Sequence, residues 1–212
     1  MEISNKPARR RGRPPKSRDE QVGTRQLLLH AGLEVLTEKG FATTGIEEIL
    51  KRAGVPKGSF YHYFASKEAF GAALIDAYAR YFANKLDKHF SNTELSPLAR
   101  IEAFILDAEE GMRRHEFRRG CLIGNLGQEM AALPEAFRMQ LQQVFTDWQT
   151  RLTACLQAAQ EAGEISREVD CQQWAAFFWT AWEGAVLRSK LEQKSEPLHL
   201  FARFFLSGLN KV

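Results

Sequence analysis

Apolar side chains recur every three or four residues from Gln26 almost to the C-terminus, and no stretch alternates convincingly with period two. That rhythm is the helical one and leaves little room for a sheet. Leu28, Ala31, Val35 and Leu36 form one face of a first helix, and Gly40 is placed to end it. Ile46, Ile49, Leu50 and Ala53 repeat the pattern in a shorter helix, with Thr44 and Glu47 spaced as a capping box. Gly54-Val55-Pro56 stops that helix, and a third begins near Lys57. A longer helix follows Ser66, with Phe70, Ala73, Leu74, Ala77 and Tyr81 on one face. Further helices open near Pro97, Pro134 and Pro197, where proline suits a first turn. Asp170 is positioned to cap another, which is apolar nearly all round from Trp174 to Leu187 and so should be buried on more than one side. The predicted fold class is all-α.

Charge is distributed unevenly. The chain carries a net +3, yet residues 1–67 hold 13 Lys+Arg against 7 Asp+Glu. The basic end points to a polyanionic partner. No apolar run approaches the roughly 20 residues that span a bilayer, and the basic N-terminus lacks the apolar core of a signal peptide. A cytoplasmic protein with no membrane contact is expected. Three widely spaced cysteines do not make a disulfide framework and read as free thiols.

Residues 46–63 contain a short amphipathic helix, a turn with Gly54, and a second short helix, the pattern of a helix-turn-helix. In the second helix Phe60 and Tyr63 can pack inward. Lys57, Ser59, Tyr61 and His62 then face outward, suited to phosphates and base edges. Gly58 allows close approach of the backbone to a phosphate.

Thr44-Gly45-Ile46-Glu47-Glu48-Ile49 and Ala53-Gly54-Val55-Pro56-Lys57-Gly58-Ser59-Phe60-Tyr61-His62-Tyr63-Phe64-Ala65-Ser66-Lys67 resemble the DNA-binding domain of the TetR family of transcriptional regulators. The resemblance runs from about Val22 to Phe82. It implies double-stranded operator DNA as partner, with contacts from Thr44, Gly58, Ser59, Tyr61, His62 and Lys67, and a dimer whose large domain responds to a small molecule. The expected organisation is a basic disordered arm over 1–21, a three-helix DNA-binding head over 22–82 with its helix-turn-helix at about 45–64, and a ligand-binding and dimerisation domain over 83–212. Within the arm, Arg9-Arg10-Arg11-Gly12-Arg13-Pro14 resembles the Gly-Arg-Pro core of minor-groove-binding segments. Arg10, Arg11 and Arg13 either enter a narrow A·T-rich groove or add sequence-blind attraction.

The segment Phe117-Arg118-Arg119-Gly120-Cys121-Leu122-Ile123 precedes a possible short helix. A thiol beside guanidinium groups at a helix N-terminus has a lowered pKa and suits detection of an electrophile; the alternative is a small buried hydrophobe. Together with Trp182-Glu183-Gly184-Ala185, this segment resembles the branch of the family that controls acrylate utilisation and senses electrophiles. The resemblance implies an inducer such as acrylate or a related unsaturated acid. Arg118, Arg119 and Arg188 are candidates for holding a carboxylate; Trp174, Phe178, Trp179 and Trp182 could line a pocket, and Glu183 is a further candidate for ligand binding or sensing. Cys155 reads as core and Cys171 as structural.

The last two helices are expected to pair with their copies in a homodimer whose two heads match half-sites one DNA turn apart. Inducer binding would shift the population away from the DNA-binding spacing. No metal-binding, nucleophile-elbow or phosphate-loop motif is present, so neither an enzyme nor a cofactor is expected. An architectural DNA-binding protein without ligand and a thiol sensor of other specificity are the rival readings; activation instead of repression is also open.

Overall fold

In the computed structural model residues 18–209 are described, with side chains from Gly23 onward. Among the described residues the chain forms nine α-helices and one short 3-10 turn, and no strand. They are α1 (Arg18–Lys39), α2 (Ile46–Ala53), α3 (Lys57–Tyr63), α4 (Lys67–Phe90), α5 (Pro97–Arg113), α6 (Leu122–Gln128), α7 (Glu135–Glu161), α8 (Cys171–Glu192) and α9 (Glu196–Leu209), with the 3-10 turn at Met130–Ala132. Helix α1 thus begins inside the segment that the sequence reading gave to the arm.

Most boundaries follow the signals in the sequence. Gly40 ends α1 at φ +90°, and Gly54 ends α2 at φ 65°, where its lack of Cβ avoids the strain other residues meet. The Ser66 hydroxyl accepts from Ala69 N–H at 3.1 Å at the start of α4. Asp170 accepts from Gln172 and Gln173 N–H, both at 3.0 Å, to start α8. The Thr44 capping box does not form. Gly45 is the N-cap of α2, and Thr44, 1% exposed, donates its hydroxyl to Gly40 O at 2.6 Å. A buried hydroxyl takes the nearest carbonyl, and that carbonyl belongs to the end of α1.

Phe60, Phe64 and Phe70 form the aromatic centre of the head, with neighbouring ring centroids 4.9–5.5 Å apart. Helix α4 carries Phe70 and Leu74 in the head and continues through Phe82, Leu86 and Phe90 into the body. The inward face of α4 passes through Tyr78, while Tyr81 is 59% exposed, so the actual stripe is rotated from the expected one. In the body Phe82, Phe104, Trp148 and Trp179 pack edge-on and tilted around the centre. Helix α8 buries Phe178, Trp179 and Trp182 on one side but exposes Phe177 on another.

Candidate nucleic-acid interface and effector cavity

On the head, α3 presents Lys57, Gly58, Tyr61 and His62 to solvent, with Ser59 half-buried and Phe60 fully buried beneath them. The i, i+3/i+4 spacing inside a seven-residue helix separates these faces. Lys57 Nζ lies 2.6 Å from Glu47 Oε1, an exposed pair that ties the start of α3 to α2. Through that bond and charge, each partner favours the other's ionised form: Glu47 titrates lower and Lys57 higher than usual. Thr44 and Lys67 are placed differently from the other predicted contacts. Thr44 is buried, and Lys67 Nζ donates to Phe41 O at 2.7 Å while lying 4.5 Å over the Phe41 ring. Both hold the α1–α2 turn. Arg10, Arg11 and Arg13 lie outside the described residues.

Between head and body lies an open cavity of about 510 Å³ lined by α1, α4, α5, α8 and the segment that joins α5 to α6. That segment turns through two consecutive left-handed residues, Glu116 (φ 51°) and Phe117 (φ 55°), with Phe117 N–H bonded to Met112 O at 2.8 Å. The reversal delivers Arg119, Gly120 and Cys121 to the cavity wall. Tyr78 and Phe82 from α4, Met112 from α5 and Trp182 from α8 also line it, with His30, Lys85, Arg114 and His115 adding basic groups. An apolar space with a few polar groups suits a small organic ligand.

Cys121 is the N-cap of α6, and its sulfur accepts from Gly124 N–H at 3.5 Å. The thiol is nevertheless pushed well above its ordinary pKa, first by burial and then by the negative charge of Glu183. The expected lowering by flanking arginines fails because neither arginine faces the sulfur. Arg118 is exposed, and Arg119 pairs with Glu38 at 3.0 Å and Glu34 at 3.4 Å on α1. Burial also holds the Tyr78 hydroxyl well above its usual range. It raises the Glu183 carboxyl to about 7, and Glu183 Oε1 has no hydrogen-bond partner. Of the predicted ligand residues, Cys121, Arg119 and Trp182 therefore share the cavity, and Glu183 stands behind Cys121. Arg118 and Arg188 do not join them; Arg188 pairs with Glu192 along α8. Cys155 is buried against Pro97 O, with its thiol raised to about 11, and Cys171 is buried near Val169 O.

Sequence reasoning missed the ties between this wall and the head. Asn125 Nδ2 donates to Thr37 O at 3.0 Å, and Lys190 Nζ donates to Thr37 O at 2.9 Å and Glu38 O at 3.3 Å. These cations and amides satisfy carbonyls at the C-terminus of α1. Just beyond α6, Glu129 accepts from Phe41 N–H at 3.0 Å and Ala42 N–H at 2.7 Å. Cys121, Asn125 and Glu129 recur every four residues, so one stripe runs from the cavity to the α1–α2 turn. That spacing was the available signal. Tyr78 was missed through the phase of α4.

A short-helix head joined by a long helix to a helical body, with a cavity between them, has the architecture of a helix-turn-helix regulator. Residues 28–74 match the model for bacterial regulatory proteins of the tetR family, and residues 97–205 match the tetracyclin repressor-like C-terminal domain. The chain is 55% identical to the transcriptional regulator AcuR of Cereibacter sphaeroides over 92% of its own length and 89% of that protein's. It is 32% identical to the transcriptional repressor NemR of Escherichia coli, over 82% of this chain and 88% of the other. A crystal structure of regulatory protein TetR from Rhodobacter sphaeroides superposes with a TM-score of 0.86 at 55% identity, covering 87% of this chain and 97% of that one. The chain belongs to the TetR family of transcriptional regulators.

Proposed function

We propose that this protein is a homodimeric repressor, not an enzyme, that leaves its operator when acrylate or a related electrophilic unsaturated acid enters the cavity at Cys121. The observation that carries this reading is the cavity itself, with a cysteine in its wall and basic groups around it. An anionic ligand gains from the exposed Arg114 in the lining, while its alkene carbon meets the thiol. The same cavity disfavours an architectural protein with a fully packed body.

Operator reading falls to Lys57, Gly58, Ser59, Tyr61 and His62, with the arginine arm in the neighbouring minor groove. Thr44 and Lys67 support them by fixing the α1–α2 turn. Dimerisation uses α8 and α9. Phe177, Leu200 and Phe204 are 52%, 51% and 66% exposed on that side and, with Ala181, edge a shallow apolar hollow. Exposed aromatic surface of this kind favours burial against a second copy. Occupancy of the cavity acts on the head through α6, whose first residue's cap is Cys121 and whose far end leads to Glu129. The ligand's differential affinity for the two head arrangements sets how far the operator is released.

The test is operator binding with and without acrylate, using wild type and Cys121→Ser. Release of the wild type alone fits covalent sensing at Cys121. Equal release of both proteins fits reversible binding in the same cavity. Operator affinity unchanged by acrylate and by other unsaturated acids overturns the inducer assignment.

A further inference from the structure

A thiol as buried as Cys121 is a poor nucleophile unless something takes its proton. Glu183, between the cavity residues Trp182 and Val186 on α8, is the group in place to do so. Its Oε1 is buried without a hydrogen-bond partner. Its Oε2 packs against the backbone of Gly124, in the first turn of α6. A methyl group built there would sit 1.8 Å from Oε2 and 3.7 Å from Cys121 Cβ, so the carboxylate lies beside the cysteine, with which it interacts. Only glycine leaves that space open. An unsatisfied carboxyl oxygen held against a cysteine has a cost that a structural role does not offset.

We propose that Glu183 is the proton acceptor for Cys121 in the sensing reaction, so that addition of the thiol to an activated alkene requires ionised Glu183. The inference rests on Cys121 being the sensing nucleophile. In the step, the S–H bond breaks and its proton passes to the Glu183 carboxylate. The sulfur pair forms a C–S bond at the β-carbon, the alkene π pair moves onto the α-carbon, and the proton on Glu183 is then returned there. The product is a thioether, the carboxylate is regenerated, and nothing is oxidised.

The groups facing Glu183 fit this role. Cys121 at the start of α6 and Tyr78 from α4 are the titratable partners it interacts with. Lys190 on its own helix and Arg119 on the preceding segment are both turned to α1. Burial and the hydrogen bond with Cys121 set its titration. With no cation to hold the carboxylate ionised, burial raises its pKa to about 7, matched to proton transfer near neutrality.

The test is the rate of Cys121 alkylation by acrylamide, a neutral activated alkene, followed by peptide mass spectrometry from pH 5.5 to 9. The wild-type rate should rise and inflect near pH 7. Glu183→Gln should lose the inflection and react about 10²-fold or more slowly at pH 8, and Glu183→Asp should restore part of the rate. A Gln variant as fast as wild type, or faster, overturns the proposal, since removing a charge that merely repels the thiolate would speed alkylation. If that variant fails to bind operator DNA and is misfolded, the wild-type profile decides: a rate climbing tenfold per pH unit to pH 9 without inflection also overturns it. No adduct at Cys121 in the wild type rejects the nucleophile itself, and the proposal with it.

Discussion

Replacing Glu129 by alanine should loosen the head from the body without touching either the reading helix or the cavity. The carboxylate accepts two backbone N–H groups in the α1–α2 turn, at 3.0 and 2.7 Å. Each charge-assisted bond contributes about 1.5–3 kcal/mol. Ala42 is exposed, so water replaces much of the second bond. About 2 kcal/mol is then lost in all, which for a chain of this size lowers Tm by roughly 4–8 °C. The larger effect is on signalling. Inducer coupling in such proteins is typically about 1–3 kcal/mol, or 5–150-fold in operator affinity. If α6 transmits it, Glu129→Ala should bind inducer normally, measured by calorimetry, while operator release measured by anisotropy shrinks severalfold. A variant with wild-type Tm and a full inducer response would refute the account of α6 as the link.

Lys57→Ala should weaken operator binding and reduce the slope of log affinity against log salt by about one, while stability barely changes because its partner Glu47 is exposed. Thr44→Val should lower stability by about 1 kcal/mol in urea denaturation through loss of the bond to Gly40 O; an unchanged midpoint would argue against that bond. Gly124→Ala should displace the Glu183 carboxylate, which a Cβ would approach to 1.8 Å, and cost roughly 1–3 kcal/mol. Stability should also depend on pH through Glu183. Its folded pKa of about 7 lies above the ordinary 4.5, so the folded state holds the proton more tightly. The contribution is full below pH 4.5 and is lost as pH rises through 7. Relative to wild type, Glu183→Gln should therefore gain stability at pH 8, by at most about 3 kcal/mol. Parallel stability curves for the two proteins from pH 4.5 to 8 would contradict the shift.

Helices were legible because caps and stops are local. Gly40, Gly54, Ser66 and Asp170 act within a few residues of themselves, so the sequence carries their signal directly. The capping box at Thr44 failed because its hydroxyl met the end of α1, a tertiary contact that outranked the local one. The face of α4 was misjudged for a similar reason. Ala77 and Tyr81 continue the apolar rhythm, but packing against the body selects Tyr78 and Phe82. The outward face of α3 followed from helical period alone. The cavity did not, because its walls come from helices far apart in sequence. Cys121, expected as a sensing thiol, lies in the cavity wall, but its pKa is raised where the sequence suggested lowering. The neighbours in sequence are arginines turned elsewhere, and the neighbour in space is Glu183, 62 residues on. Ties such as Glu129 to Phe41 N–H join distant segments and leave no composition signal.

The most direct test of the account is fluorescence anisotropy of the full chain on labelled DNA from upstream of its own gene, titrated with acrylate at fixed salt. The account predicts tight, salt-sensitive binding that acrylate reverses. Tight binding that persists at every acrylate concentration would contradict the proposed inducer, and absence of binding at low salt to this DNA and to other upstream regions would contradict the repressor itself.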